Sequence, residues 1–69
     1  MDYYKQGDKV AWNWGDHAAL GTVERVSSAR TSIHADGGEI TRNGTASDPA
    51  IVILRDDGTK VLRLSSEIE

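Results

Sequence analysis

Residues 8–14 read D-K-V-A-W-N-W, and this stretch decides the fold class. Val10, Trp12 and Trp14 share one side of an extended chain, and the residues between them share the other side. A period of two in the apolar residues is that of a half-buried β-strand. Glycines stand on both sides of the stretch, so we predict a strand that is bounded by turns.

The most apolar run of the chain lies further along. Residues 50–55 read A-I-V-I-L-R, a run rich in β-branched residues. Residues of this kind favour strands, and a strand without polar alternation is typical of the middle of a sheet. We therefore predict a central strand here. Pro49, the only proline of the chain, stands directly before it, which suits a position at the start of a strand.

Weaker patterns predict the remaining C-terminal and N-terminal elements. Residues 20–26 are predicted to form a second strand, in which apolar and polar residues alternate imperfectly. Gly21 marks either a bulge or a close approach of two backbones. Residues 60–64, K-V-L-R-L, predict a last strand after a turn at residues 56–58, D-D-G. Residues 65–68, S-S-E-I, predict a helical turn that a serine caps.

The middle of the chain carries a hairpin signal. Residues 30–34 and 39–42 flank the sequence A-D-G-G, and glycine accepts the positive φ angles of a tight hairpin turn. We predict a short, exposed and twisted hairpin with Ile33 and Ile40 as its main apolar contacts. Residues 43–49 then form a loop that leads into the central strand.

Length and turn spacing together define the architecture. The chain has 69 residues and a mass of 7.5 kDa, so residues 1–69 are expected to form a single domain. Five or six short strands with turns every eight to twelve residues, roughly, are typical of a small barrel or sandwich. We predict an all-β, five- to six-stranded closed barrel with a short C-terminal helical turn, because closure removes exposed strand edges.

Composition excludes several classes of protein. The chain has no cysteine, which excludes disulfides, cysteine-ligated metals and a thiol nucleophile. Eight basic and eleven acidic residues give a net charge of −3, which disfavours non-specific binding to duplex nucleic acid. No segment has the roughly 20 apolar residues of a membrane span, and the N-terminus has no signal-peptide pattern. We expect a cytoplasmic location and no membrane partner.

Trp12 and Trp14 are the strongest candidates for ligand binding. Two indole rings on one face of a strand form a wall that attracts an ammonium or guanidinium group, and Tyr3 and Tyr4 are close enough in sequence to complete a cage. The alternative is that both tryptophans belong to the core, because large rings dominate burial in a small domain. We expect a mixed arrangement, with Trp12 inside and Trp14 near the barrel mouth.

A second candidate site is the sequence from Arg42 to Asp48. Arg42 beside the Asn43-Gly44 turn presents a guanidinium fork and backbone N–H groups that suit a phosphate or a carboxylate. The alternative is a structured turn in which Asp48 caps the loop and Arg42 pairs with a carboxylate, either Asp48 or Glu67. The residues alone leave both readings open.

Catalytic and metal sites have weaker support. Asp56 and Asp57 precede a glycine in a hairpin turn, where Asp-Gly is expected on conformational grounds. No base is positioned beside the C-terminal serines, so no nucleophilic site is indicated. His17 and His34 lack an organised third ligand. We expect no metal, no cofactor and no enzymatic activity.

Several short motifs, in order, resemble a known family. The set comprises G-D-x-V-x-W-x-W-G at residues 7–15, G-T-V at 21–23, I-T-R-N-G at 40–44, D-P-A at 48–50, V-L at 61–62 and S-E-I at 66–68. Together they are similar to the hypervirulence-associated-protein TUDOR domain family of small bacterial and fungal proteins. The resemblance implies a Tudor-like (Src-homology-like) barrel, and many Tudor domains hold methylated lysine or arginine in an aromatic cage. Residues 27–36 depart from the family pattern.

The function expected from the sequence is that of a non-catalytic binding module. Such a module would engage a peptide or a charged ligand through an aromatic and arginine surface near Trp14 and Arg42. One alternative is a structural unit, a monomer or weak homodimer that pairs by an edge strand of the hairpin at residues 30–42. Another is weak nucleic-acid binding through a cluster of the five arginines, 25, 30, 42, 55 and 63.

Overall fold

A computed structural model describes residues 4–14, 16–35 and 37–68 of the chain, except for the side chains of residues 13 and 14. The interpretations that concern Tyr3, Gly15, Asp36 and the Trp14 ring lie outside the described residues. The described residues form six strands and one short helix: β1 (Lys9–Trp14), β2 (His17–Ser27), β3 (Arg30–Ala35), β4 (Gly38–Asn43), β5 (Ala50–Arg55), β6 (Lys60–Leu64) and α1 (Ser65–Ile68).

The strands form two antiparallel sheets. The larger sheet has the order β1-β2-β5-β6, and β3 pairs with β4 in a separate hairpin. β5 pairs with β2 on one side and with β6 on the other, and its first four residues are buried. The prediction of a central apolar strand at residues 50–55 is therefore confirmed.

The predicted closed barrel is corrected by the sheet pairing. The mostly-β fold and the C-terminal helical turn are as predicted, but β3 and β4 pair only with each other in the part of the chain that the structure describes. The hairpin covers β5 and β6 by side-chain packing instead. Ile33 is only 7% exposed and packs with Val52 and Leu62, so the hairpin is half-buried and not an exposed appendage. Burial of apolar side chains joins the two sheets without hydrogen bonds between strands.

β2 is longer than predicted and bends at one irregular position. The register with β5 shifts between Val23 and Arg25, which places the bulge there and not at Gly21. Gly21 is the close-approach position: a Cβ atom on it would lie 2.5 Å from Cγ2 of Ile53. Glycine at this point lets β2 and β5 pack at their observed separation.

The buried residues form two clusters on either side of β5. The main core contains Val10, Trp12, Val23, Ile51, Ile53 and Ile68. The second cluster lies under the hairpin and contains Ile33, Ala50, Val52 and Leu62. Ile68 joins the main core from α1, so the helical turn covers one end of the larger sheet. This position of α1 determines what the candidate site residues do.

Candidate functional site

Trp12 belongs to the main core. The residue is 4% exposed and packs with Val10, Ile53 and Ile68. Tyr4, which was expected to complete an aromatic cage, is half-buried and packs against the same cluster. A cation site needs an open ring face, and the covered indole of Trp12 does not offer one. The placement of Trp12 inside is thus as predicted, and its role as a ligand-binding wall is not supported.

Arg42 is engaged within the fold. Its Nε donates to Oε1 of Glu67 over 3.2 Å, and its Nη1 donates to the carbonyl of Thr41 over 3.2 Å. Glu67 Oε1 also accepts the backbone N–H of Leu64 at 2.7 Å. Arg42 thus pairs with Glu67, which is one of the two carboxylates that the structured-turn interpretation offered.

Asp48 caps α1 from a distant loop. Its Oδ1 accepts the backbone N–H of Ser66, and its Oδ2 accepts the Ser66 hydroxyl, both at 2.8 Å. The loop that carries Asp48 is closed by two backbone hydrogen bonds between Thr45 and Asp48. The predicted serine cap is therefore wrong: an aspartate far away in sequence satisfies the orphan N–H group. No local pattern reveals such a contact.

Two residues of the predicted ligand site, Arg42 and Asp48, thus meet at α1. There they stabilise the fold. We call Arg42, Asp48, Ser66 and Glu67 the C-terminal clamp, because these four side chains hold the helical turn in place. Asn43 lies beside them, exposed at the end of β4 and opposite Arg30 in the hairpin register. The clamp positions Ile68 in the main core, which links the polar contacts at the surface to burial inside.

Removal of the Asp48 cap tests the clamp. We expect Asp48→Ala to lower the free energy of unfolding by about 1 kcal/mol, because α1 loses its side-chain cap. Ser47→Ala, in the same exposed loop, is the matched control and is expected to change stability by less than about 0.5 kcal/mol. Urea unfolding followed by circular dichroism measures both variants. Equal stability of the two variants would contradict the capping role.

Titration of Glu67 gives the clamp a pH dependence. The backbone N–H of Leu64 and then the Arg42 guanidinium hold the pKa of Glu67 below its ordinary value of 4.5. A carboxyl with a lowered folded-state pKa stabilises the fold above the unfolded pKa, and this contribution is lost as the pH falls below 4.5 and through the folded-state pKa. We expect Glu67→Gln to flatten the decline of Tm in this range. A decline as steep as in the parent chain would contradict the assignment.

A groove runs along β6 beside the packed hairpin, and the sequence did not predict it. We call it the hairpin groove. Two adjoining depressions of about 130 and 370 Å³ share Ala35, Arg55, Lys60 and Val61. The first depression also contains Ile40, Arg63 and the covered edge of Trp12, and the second extends to His34. The groove depends on how the hairpin packs over β6, which is a tertiary feature without a local sequence signal.

Three cations lie along the hairpin groove. Arg55 is exposed at the end of β5, and Arg63 is half-buried, with its Nη1 donating to the Leu62 carbonyl over 3.0 Å. Lys60 forms an ion pair with Glu24 over 2.9 Å. Sequence analysis named Arg55 and Arg63 only among five arginines. The structure separates these two from Arg42, which belongs to the clamp.

The turn at Asp56 and Asp57 has a structural explanation. Asp57 Oδ1 accepts the Thr59 hydroxyl and the Thr59 backbone N–H, at 2.6 and 3.0 Å. These bonds hold the pKa of Asp57 below its ordinary value. Asp57 therefore has a structural role in its own turn.

Searches for other kinds of site give two further findings. Within residues 4–14, 16–35 and 37–68, no cluster of three or more histidine, aspartate or glutamate side chains is arranged to hold a metal ion. No helix in these ranges has the length and apolar character needed to cross a membrane.

These features define a small, mostly-β domain with a basic groove beside a packed core. The chain belongs to the family described as hypervirulence associated proteins TUDOR domain, whose sequence profile matches residues 7–68. The resemblance noted from the ordered motifs is thereby confirmed. No curated protein and no solved structure matches the chain significantly.

Proposed function

We propose that this chain is a non-catalytic binding module whose ligand lies in the hairpin groove. The proposal rests on one observation, namely that the arginines have different roles. Arg42 pairs with Glu67 to hold the fold, whereas Arg55 and Arg63 line a groove and pair with no carboxylate in the described part of the chain. Charged side chains on a concave surface that the fold itself does not use are typical of a ligand site.

The proposal keeps the expected ligand, a peptide or a charged molecule. It places the binding site in the hairpin groove. The surface near Trp14 and Arg42 stays a prediction, since the Trp14 side chain is outside the described residues and Arg42 serves the clamp. A Tudor-like relation of the two sheets and a cytoplasmic location belong to the same proposal. The groove lies between packed strands, so its walls are formed before a ligand arrives.

Chemical-shift mapping tests the proposal. Uniformly ¹⁵N-labelled protein is titrated with a short Glu/Leu peptide, a short Lys/Leu peptide and single-stranded oligo-dT. We expect at least one of the peptides to shift the amide signals of Ala35, Arg55 and Val61, while those of Ala18 and Ser47 stay in place. The proposal is wrong if neither peptide shifts the groove signals, or if the shifts lie only outside the groove.

A further inference from the structure

The charge of the hairpin groove identifies the class of ligand. We propose that the groove binds an acidic, extended peptide segment, with carboxylates on Arg55 and Arg63 and an aliphatic side chain over Val61. This inference rests on the proposed function and deepens it. The ligand charge is opposite to the one that the tryptophan pair suggested, because an aromatic cage selects cations.

The positive charge of the groove follows from the residues that line it. Three side chains of the described lining are cationic, and none carries a carboxylate. Carboxylates lie nearby, but each has contacts of its own: Glu24 pairs with Lys60 over 2.9 Å, Asp57 accepts two hydrogen bonds from Thr59, and Glu67 pairs with Arg42. The charges of Arg55 and Arg63 act on Asp57 and Glu67 respectively, without an ion pair between them. The cationic lining repels a cationic ligand. The guanidinium groups of Arg55 and Arg63 form no ion pair in the described part of the chain, so they favour a ligand carboxylate, which a guanidinium binds bidentately.

The floor of the groove adds a requirement for apolar contact. Ile40 and Val61 are half-buried and line the groove together with Trp12. This strip suits one aliphatic side chain flanked by polar ones. A segment that carries both an aliphatic and an acidic side chain supplies both kinds of contact.

The same lining favours a peptide over a nucleic acid. Single-stranded nucleic acids bind by stacking their bases on exposed aromatic rings and by contacting several phosphates. Trp12, the aromatic residue of the described lining, is 4% exposed and offers no face for stacking. The net charge of −3 also opposes a polyanion outside the groove, whereas a short acidic segment meets only the local cations.

Lys60 contributes less than the two arginines. Its ammonium group is already paired with Glu24, so a ligand carboxylate has to compete with an internal partner. Arg55 has no such partner among the described residues, and the Arg63 bond to the Leu62 carbonyl uses one of its five N–H donors. The proposal therefore assigns most of the selectivity for acidic ligands to Arg55 and Arg63.

Calorimetric titration of the full chain tests the inference with four probes. These are the Glu/Leu peptide, the Lys/Leu peptide, its trimethyl-lysine counterpart and oligo-dT. We expect only the Glu/Leu peptide to bind, and to bind more weakly as salt rises from about 0.05 M to about 0.5 M. Arg55→Gln is expected to weaken this binding about tenfold, and Arg63→Gln by a similar factor.

Arg30→Gln is the matched control, because Arg30 is exposed on β3 and does not line the groove. It is expected to leave the affinity unchanged. The dispersion of amide signals establishes that each variant folds, and Arg55 is exposed, so its replacement does not disturb the core. If Arg55→Gln binds as tightly as the parent chain, the placement of the carboxylates is wrong.

The remaining outcomes separate the inference from the proposed function. Binding of the Lys/Leu or trimethyl-lysine peptide in the groove overturns the inference and leaves the binding module intact. Binding of oligo-dT alone overturns both in favour of the nucleic-acid alternative. Failure of every probe to bind, with no amide shift in the groove, overturns both as well.

Discussion

Trp12→Ala is expected to lower the free energy of unfolding by about 3–5 kcal/mol, since it removes a large ring from a packed core. Trp12 is 4% exposed and contacts residues from three elements, including Ile68 of α1. The stability of a chain of this length is on the order of 3–10 kcal/mol. The variant is therefore expected to melt about 12 °C or more below the parent chain, or to be largely unfolded at 25 °C.

Leu20→Ala is the matched control for this experiment. Leu20 is an apolar residue of the neighbouring strand β2, but it is 65% exposed. Its replacement is expected to change stability by less than about 0.5 kcal/mol. Thermal unfolding followed by circular dichroism compares the two variants. If Trp12→Ala melts at the same temperature as Leu20→Ala, Trp12 is not part of the core.

Gly44→Ala is expected to destabilise the chain by about 3 kcal/mol, a large effect for one methyl group. A Cβ atom at this position would lie 2.5 Å from the Ser27 carbonyl oxygen, 2.7 Å from the Ala50 nitrogen and 2.9 Å from the Ala29 carbonyl oxygen. All three neighbours are backbone atoms, so rotation of a side chain does not relieve the overlap. The methyl group therefore has to push residue 44 away from the end of β2 and the start of β5.

Gly38→Ala provides the comparison for Gly44. Neither Gly38 nor Gly44 has a positive φ angle, so the two positions differ mainly in the space around them. The nearest atom to a Cβ added at Gly38 would be the Ala35 carbonyl oxygen at 4.0 Å. The change is expected to alter stability by less than about 1 kcal/mol. Urea unfolding measures both variants under the same conditions. A Gly44→Ala chain as stable as Gly38→Ala would contradict the close packing of these three backbone segments.

The strands were predictable because their signals are local. Alternation at residues 8–14 and the apolar run at 50–55 report burial directly, and a glycine turn fixes each hairpin. The closure of a barrel was not predictable in the same way. Whether Ile33 joins the core through strand pairing or through side-chain packing depends on the path of the chain between β2 and β3. The alternation in the sequence is the same in both cases.

The candidate site was predictable only as a set of alternatives. The sequence placed Arg42 and Asp48 in one polar region and offered either Asp48 or Glu67 as the partner of Arg42; the structure shows Glu67. It did not indicate that Asp48 caps α1, since the Ser66 contact spans 18 residues. The hairpin groove escaped notice because Arg55 and Arg63 belong to different strands and meet Ile40 only after the hairpin has packed. Such contacts depend on how the strands pack in three dimensions, and the spacing of residues along the sequence does not reveal them.

The emission of Trp12 tests the central claim most directly, namely that this residue supports the core and leaves ligand binding to the hairpin groove. The chain has two tryptophans, so Trp14→Phe leaves Trp12 as the only fluorescent indole. We predict blue-shifted emission that acrylamide quenches weakly. Red-shifted emission with strong quenching would show an open ring face and contradict the account, because Trp12 would then be free to form the wall of a cation site.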